Sequence, residues 1–164
     1  MTTIVILAAG LGSRFGGNKQ LVEFGKRKWT LMEYNLLHAV EAGFDRVIFV
    51  IRPELLEILQ QQVLSRLPKG LQNEVVLQTL DNLPVDCFVP TDRTKPLGTA
   101  HALWCCHQLL TESFAVINAD DYYGDQAFKL LLTQNEKTPC DHLMVAYQLQ
   151  NTLSEFGSVN RGLC

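Results

Sequence analysis

Residues 3–19 read TIVILAAGLGSRFGGNK, and the fold turns on how this stretch is taken. Thr3–Leu7 is β-branched and apolar without alternation, which suits a strand buried on both faces, as in a parallel sheet. The run then meets Gly10, Gly12 and Gly16, with Arg14 among them and Lys19 just beyond. Glycines let backbone N–H groups approach an anion closely and accept positive φ at no steric cost. Arg14 can grip phosphate oxygens with two parallel hydrogen bonds, and Lys19 adds a compact point charge. A strand ending in such a loop describes a phosphate cradle. A strand-ending turn with two solvated basic residues is the plainer alternative.

Moving outward, strands and helices alternate. Thr30-Leu-Met-Glu33 has the form of a capping box, and Met32, Leu36, Leu37 and Val40 then share one helical face, with Gly43 as the stop. Val47–Ile51 reads as a second buried strand. Pro53 suits a first helical position, with Leu55, Leu56, Leu59 and Val63 at helical spacing and Pro68-Lys-Gly70 as terminator. Glu74–Gln78 and Asp86–Val89 are weaker strand candidates. Thr99–Leu110 predicts a helix, Phe114–Asn118 a strand, Asp125 to about Thr133 a helix and Leu143–Tyr147 another strand. This βαβ rhythm predicts one α/β domain with a mostly parallel sheet. Ligands of such sheets sit beyond the carboxyl ends of the strands, where both the opening loop and Asp120-Asp121 fall.

Composition bounds the partners. The 164 residues are 47% hydrophobic and 19% charged, ordinary for one globular domain with a real core. A net charge of −3 gives no general attraction for nucleic acid or an anionic membrane, so any anion is bound locally. No apolar run approaches the roughly 18 residues that span a bilayer. The five cysteines, Cys87, Cys105, Cys106, Cys140 and Cys164, form no C-x-x-C pair and read as reduced, mostly buried thiols of a cytoplasmic protein. His38, His101, His107 and His142 have no metal spacing, and His101 and His107 read as surface or packed helix residues.

Two familiar cradles do not fit the loop. The dinucleotide fingerprint would need glycine where Phe15 stands. The P-loop has its gap from Gly12 to Gly17, but Asn18 precedes Lys19 and Gln20 replaces the metal-binding hydroxyl.

A different pattern does fit. Leu-Ala-Ala-Gly-Leu-Gly-Ser-Arg-x(4)-Lys, ending at Lys19, resembles the signature loop of the sugar-1-phosphate nucleotidyltransferases. Lys95-Pro-Leu-Gly-Thr-Ala100 resembles the family's base-binding segment, Ile117-Asn-Ala-Asp-Asp-Tyr122 its metal-binding strand end, and Phe156-Gly-Ser-Val159 its sugar-facing element. The motifs arrive in the family's order from residue 3 to about 160.

This resemblance implies a Rossmann-like three-layer α/β/α fold with a mostly parallel mixed sheet. It implies attack by a sugar-1-phosphate on the α-phosphate of a nucleoside triphosphate, with release of pyrophosphate. Carried onto this chain, Ala9, Gly10 and Gly12 would line nucleotide and phosphates, Arg14 would stabilise the triphosphate and Lys19 would sit near the reacting phosphates. Gly98 would lie against the base, Asp120 would hold Mg²⁺ and Gly157 would approach the sugar. Lys26 is a candidate for the sugar phosphate. Without the rest of the pattern, Asp120-Asp121 would read as a turn and Gly98 as a helix start.

The chain also departs from the family. Asn18 stands where proline usually precedes the signature lysine. Lys95 stands where uridylyl- and thymidylyl-transferring members commonly place Gln or Glu; lysine has donors and no acceptor, so it cannot pair with the N3–H of uracil or thymine. The base therefore stays open. The family's later motifs have no counterpart before Cys164, which leads to the expectation of a truncated chain carrying the nucleotide half. A half of this kind would expose apolar surface and pair with itself, so a homo-oligomer is a further expectation. Two alternatives stand beside the enzyme reading: a non-catalytic module for nucleotides or sugar phosphates, and transfer to another phosphorylated alcohol.

Overall fold

The computed structural model describes residues 2–10, 21–137, 142–154, 157–158 and 162. Six strands and four α-helices are described: β1 (Thr3–Leu7), β2 (Glu23–Phe24), β3 (Trp29–Thr30), α1 (Leu31–Ala42), β4 (Arg46–Ile51), α2 (Leu56–Gln62), β5 (Gln72–Leu77), α3 (Thr99–Cys105), β6 (Phe114–Asn118) and α4 (Asp125–Lys137). The main sheet has the order β5-β4-β1-β6 and is parallel throughout. Among the described residues, antiparallel pairing is confined to the small β2–β3 hairpin.

The unalternating apolar strands are buried on both faces, as their sequences require. Ile4, Ile6, Val47, Phe49 and Ile51 pack against Met32, Leu36 and Ala39 of α1, Leu59 of α2 and Phe128 of α4. Val5, Ile48 and Val50 face the other way, onto Ala102 of α3 and Cys106. The result is the expected α/β/α sandwich. β1 and β4 lie inside the sheet and are sealed, whereas β6 lies at its edge, with Phe114 and Val116 about two-fifths exposed.

Local chemistry sets the helix limits. Thr30 Oγ1 accepts from Glu33 N at 3.2 Å, and Thr30 N donates to Glu33 Oε2 at 2.8 Å, so the capping box forms as read. Gly43 closes α1 in the left-handed region at φ 118°.

Other expectations are corrected. Asp86–Val89 is a turn: Cys87 N donates to Pro84 O at 3.2 Å, and Asp86 has a φ of 68°. Prolines 84 and 90 bracket too short a run for a ladder. Leu143–Tyr147 joins no ladder among the described residues; it lies beside β6 and α4, lining an apolar cavity of about 620 Å³. The helix expected over Thr99–Leu110 ends at Cys105, because Cys106 leaves helical dihedrals (φ −106°, ψ 8°) and a 3₁₀ turn follows. The Pro53 helix is likewise a 3₁₀ turn leading into α2, and β5 starts two residues earlier than expected. α4 runs four residues past Thr133.

Candidate functional site

The chain passes from β1 to β4 and β5 on one side, then returns to place β6 on the other side of β1. Such a reversal opens a crevice at the carboxyl ends of the strands. A cavity of about 340 Å³ lies there. Leu7, Ala9 and Gly10 of the β1 end, Gln78 after β5, and Asn118 and Asp120 of the β6 end form its floor. Lys95, Pro96, Gly98, Thr99 and Ala102 form its roof.

The floor is held by main-chain bonds that prolong the ladders. Ala8 N donates to Val50 O at 2.8 Å, Ala119 N to Leu7 O at 3.0 Å, and Gln78 N to Ile51 O at 2.7 Å. The turn carrying Asp120 is clamped from below by Asn35, a fully buried residue of α1. Its Nδ2 donates to Asp121 O at 2.7 Å, and its Oδ1 accepts from Tyr123 N at 3.1 Å. Asn118 N donates to the Tyr123 hydroxyl at 3.0 Å, and Asn118 Nδ2 to Asp121 Oδ2 at 3.0 Å. Burial pushes the Tyr123 phenol above its ordinary value, so it stays neutral in this role. Asp121 thus serves the turn, and Asp120 is the carboxylate residue lining the cleft.

The roof is held differently. Arg93 donates from Nε to Lys95 O at 3.0 Å and from a terminal nitrogen to Pro96 O at 2.8 Å. Gly98 opens α3 with φ 100° and ψ −171°, a conformation that favours glycine.

Five of the positions singled out in the sequence, Ala9, Gly10, Lys95, Gly98 and Asp120, therefore meet in one cleft. Gly12, Arg14 and Lys19 lie outside the described residues, as do Phe156 and Val159. Lys26 sits exposed in the β2–β3 turn, and Gly157 is exposed with a φ of 126°; neither lines the cleft. Sequence reading missed Gln78 and Asn118. Each is a polar residue at or just past the end of an apolar strand, a signal that acquires meaning only when the sheet order is known.

Among the described residues, no thiol lines the cleft. Burial raises Cys105 and Cys106 above the ordinary thiol value, which keeps them protonated and unreactive. Cys87 departs from the buried reading and is exposed. Among the described residues, no group of three or more His, Cys, Asp or Glu could hold a metal by itself, and no helix is long and apolar enough to cross a membrane.

Residues 4–153 match the MobA-like NTP transferase domain. No curated protein matches the sequence. Similar folds occur in solved structures. A UDP-glucose pyrophosphorylase from Acinetobacter baumannii is 21% identical with a TM-score of 0.58, covering 84% of this chain and 53% of that one. The inositol-1-phosphate CTP transferase from T. maritima is 20% identical with a TM-score of 0.57, covering 80% and 48%. A UDP-glucose pyrophosphorylase complexed with UDP-glucose is 18% identical with a TM-score of 0.59, covering 85% and 55%. The chain thus spans about half the length of these relatives, which share its α/β fold.

Proposed function

This chain belongs to the MobA-like NTP transferase domain family, and we propose that its cleft binds a nucleoside triphosphate for transfer of its nucleotidyl group to a sugar-1-phosphate with release of pyrophosphate. In that reaction an acceptor phosphate oxygen forms a bond to the α-phosphorus while the bond to pyrophosphate breaks. The protein's task is to align the two phosphates and to stabilise the charge that gathers on their oxygens.

The observation that supports this reading is the meeting of Ala9, Gly10, Lys95, Gly98 and Asp120 in one cleft at the strand ends. The exposed main chain at Gly10 and the bare Cα of Gly98 suit the close approach of phosphates and a base. Arg14 and Lys19 supply the fixed positive charge of the opening loop. Asp120 fits as the protein ligand of Mg²⁺, which takes one or two carboxylates and completes its shell with phosphate oxygens, neutralising their charge. Lys26 and Gly157 stay candidates for the sugar-phosphate side.

Thermal unfolding with ATP, GTP, CTP, UTP and dTTP, each with and without Mg²⁺, tests the reading. A nucleotide at about 100 times its Kd stabilises by roughly 2.7 kcal/mol. Asp120→Asn is expected to remove the Mg²⁺-dependent part of that shift and to leave the unliganded Tm in place. The absence of a shift with every nucleotide refutes the assignment. Binding without pyrophosphate release when a sugar-1-phosphate is supplied favours a non-catalytic binding module.

A further inference from the structure

A buried donor just past the end of β4 has no partner. Arg52 directly follows that strand, and its side chain is only 19% exposed. Its Nε is buried and has no hydrogen-bond partner among the described residues. Its Nη1 lies 3.6 Å from Glu54 Oε2, longer than a hydrogen bond, and Glu54 is itself largely exposed. Arginine stays charged at any pH the protein meets, so the orphan N–H cannot be relieved by losing a proton. Other arginines held against the domain are satisfied. Arg46 donates to Glu74 and to Leu109 O, and Arg66 to Glu23, Glu33 and Lys28 O. A buried donor left unmade is costly, and in a native protein it calls for an explanation, a ligand among them.

The sheet register says where Arg52 stands. Leu7 lies opposite Val50, and Leu77 opposite Ile51. The bonds from Ala8 N to Val50 O and from Gln78 N to Ile51 O carry both pairings past the strand ends. One residue further, Arg52 falls between Ala9 and Gln78, both of which line the cleft. Its backbone is still extended (φ −80°, ψ 150°), so alternation puts it on the face of Ile48 and Val50. That face packs on Ala102 of α3, a residue of the cleft's roof. The guanidinium itself rests beside Glu54 and is not part of the cavity lining.

We infer that Arg52 is a phosphate-binding residue of this cleft, whose guanidinium leaves Glu54 and donates through Nε and a terminal nitrogen to the outer phosphates of the nucleoside triphosphate. The inference rests on the nucleotide reading above. A guanidinium meets two phosphate oxygens with parallel hydrogen bonds, whereas its loose contact with an exposed carboxylate is worth little. Ala9, its neighbour in register, runs into Gly10 and the loop read as the phosphate cradle. That places the guanidinium with the triphosphate and not with the phosphate of the acceptor.

Calorimetric titration in Mg²⁺ tests this on the native chain and two variants. The probes are ATP, GTP, CTP and UTP, their monophosphates, inorganic tripolyphosphate and glucose 1-phosphate. Arg52→Gln removes the charge and keeps a polar side chain. Glu54→Gln removes the carboxylate that competes for the guanidinium. Arg52→Gln is expected to weaken the preferred triphosphate and tripolyphosphate by roughly tenfold or more, the size of one charge-assisted hydrogen bond, and the monophosphate by less than about twofold. Glu54→Gln is expected to tighten triphosphate binding by about twofold, the size of a surface ion pair, and to leave the monophosphate alone.

An equal loss for triphosphate and monophosphate in Arg52→Gln marks Arg52 as merely structural and overturns the inference. So does a loss confined to glucose 1-phosphate, which assigns the guanidinium to the acceptor. If Arg52→Gln fails to fold, Glu54→Gln decides: tighter triphosphate binding supports the inference, and unchanged binding overturns it. If neither tripolyphosphate nor any nucleotide binds the native chain, the nucleotide reading itself falls. If they bind it and keep their ratio in Arg52→Gln, only the present inference does.

Discussion

The floor of the cleft and its roof are built by opposite means. The floor continues a parallel sheet: the main chain after β1, β5 and β6 stays paired past the strand ends, over side chains with no exposure such as Ile6, Val50 and Phe49. The roof is segment 79–98 and the start of α3, and in the segment Arg93 bonds carbonyls of its own loop and Gly98 sits at positive φ. The floor is fixed by burial that involves the whole domain, and the roof by a few local bonds at the surface. Damage to the floor should therefore unfold the protein, whereas damage to the roof should alter binding alone.

The largest effect belongs to the layer beneath the floor. Phe49→Ala would leave a cavity under the sheet and is expected to cost about 3–5 kcal/mol. That corresponds to a fall in Tm of roughly 10 °C for a domain of this size, measurable by calorimetry. A loss under about 1 kcal/mol would show that the sheet does not carry the domain's stability.

An intermediate effect is expected at the junction of scaffold and site. Asn35→Ala strands Asp121 O and Tyr123 N, both held by the buried Asn35 amide. The expected cost is about 1–3 kcal/mol in Tm-derived stability, together with weaker Mg²⁺-dependent nucleotide binding as the Asp120 turn loosens. Loss of stability with binding intact would separate that turn from the site.

The smallest effect on stability belongs to the roof. Arg93→Ala frees two carbonyls that water can satisfy, so stability should change by less than about 0.5 kcal/mol in chemical unfolding. Nucleotide affinity should nonetheless fall by a few-fold, because the roof would have to be ordered on binding. A change in stability as large as that of Asn35→Ala would erase the contrast between the two regions.

The same contrast explains what could be read from the sequence. β1 and β4 are legible as apolar runs, because burial on both faces leaves no other composition, and β6 keeps an apolar run although Phe114 and Val116 stay exposed. The Thr30–Glu33 box and Gly43 were legible to the residue, because caps are local chemistry. Leu143–Tyr147 misled because an apolar run points to burial and a ladder, whereas Leu143, Met144 and Tyr147 are exposed along an apolar cavity and join no ladder among the described residues. Asp86–Val89 misled for lack of any pattern beyond two β-formers between prolines. In the site, Ala9, Gly10, Gly98 and Asp120 were legible through motif resemblance. Gln78 was not, because its partners His101 and Gly98 come from a different part of the chain.

The position of β1 has a consequence for how the molecule comes into being. It precedes the other described strands in the chain, yet it pairs on one side with β4 and on the other with β6, far along the chain. Emerging from a ribosome, β1, β4 and β5 can assemble while the second edge of β1 still waits for Phe114–Asn118. Lys95, Gly98 and α3 are synthesised during that wait. The roof is therefore made before β6, and Asp120 arrives with β6.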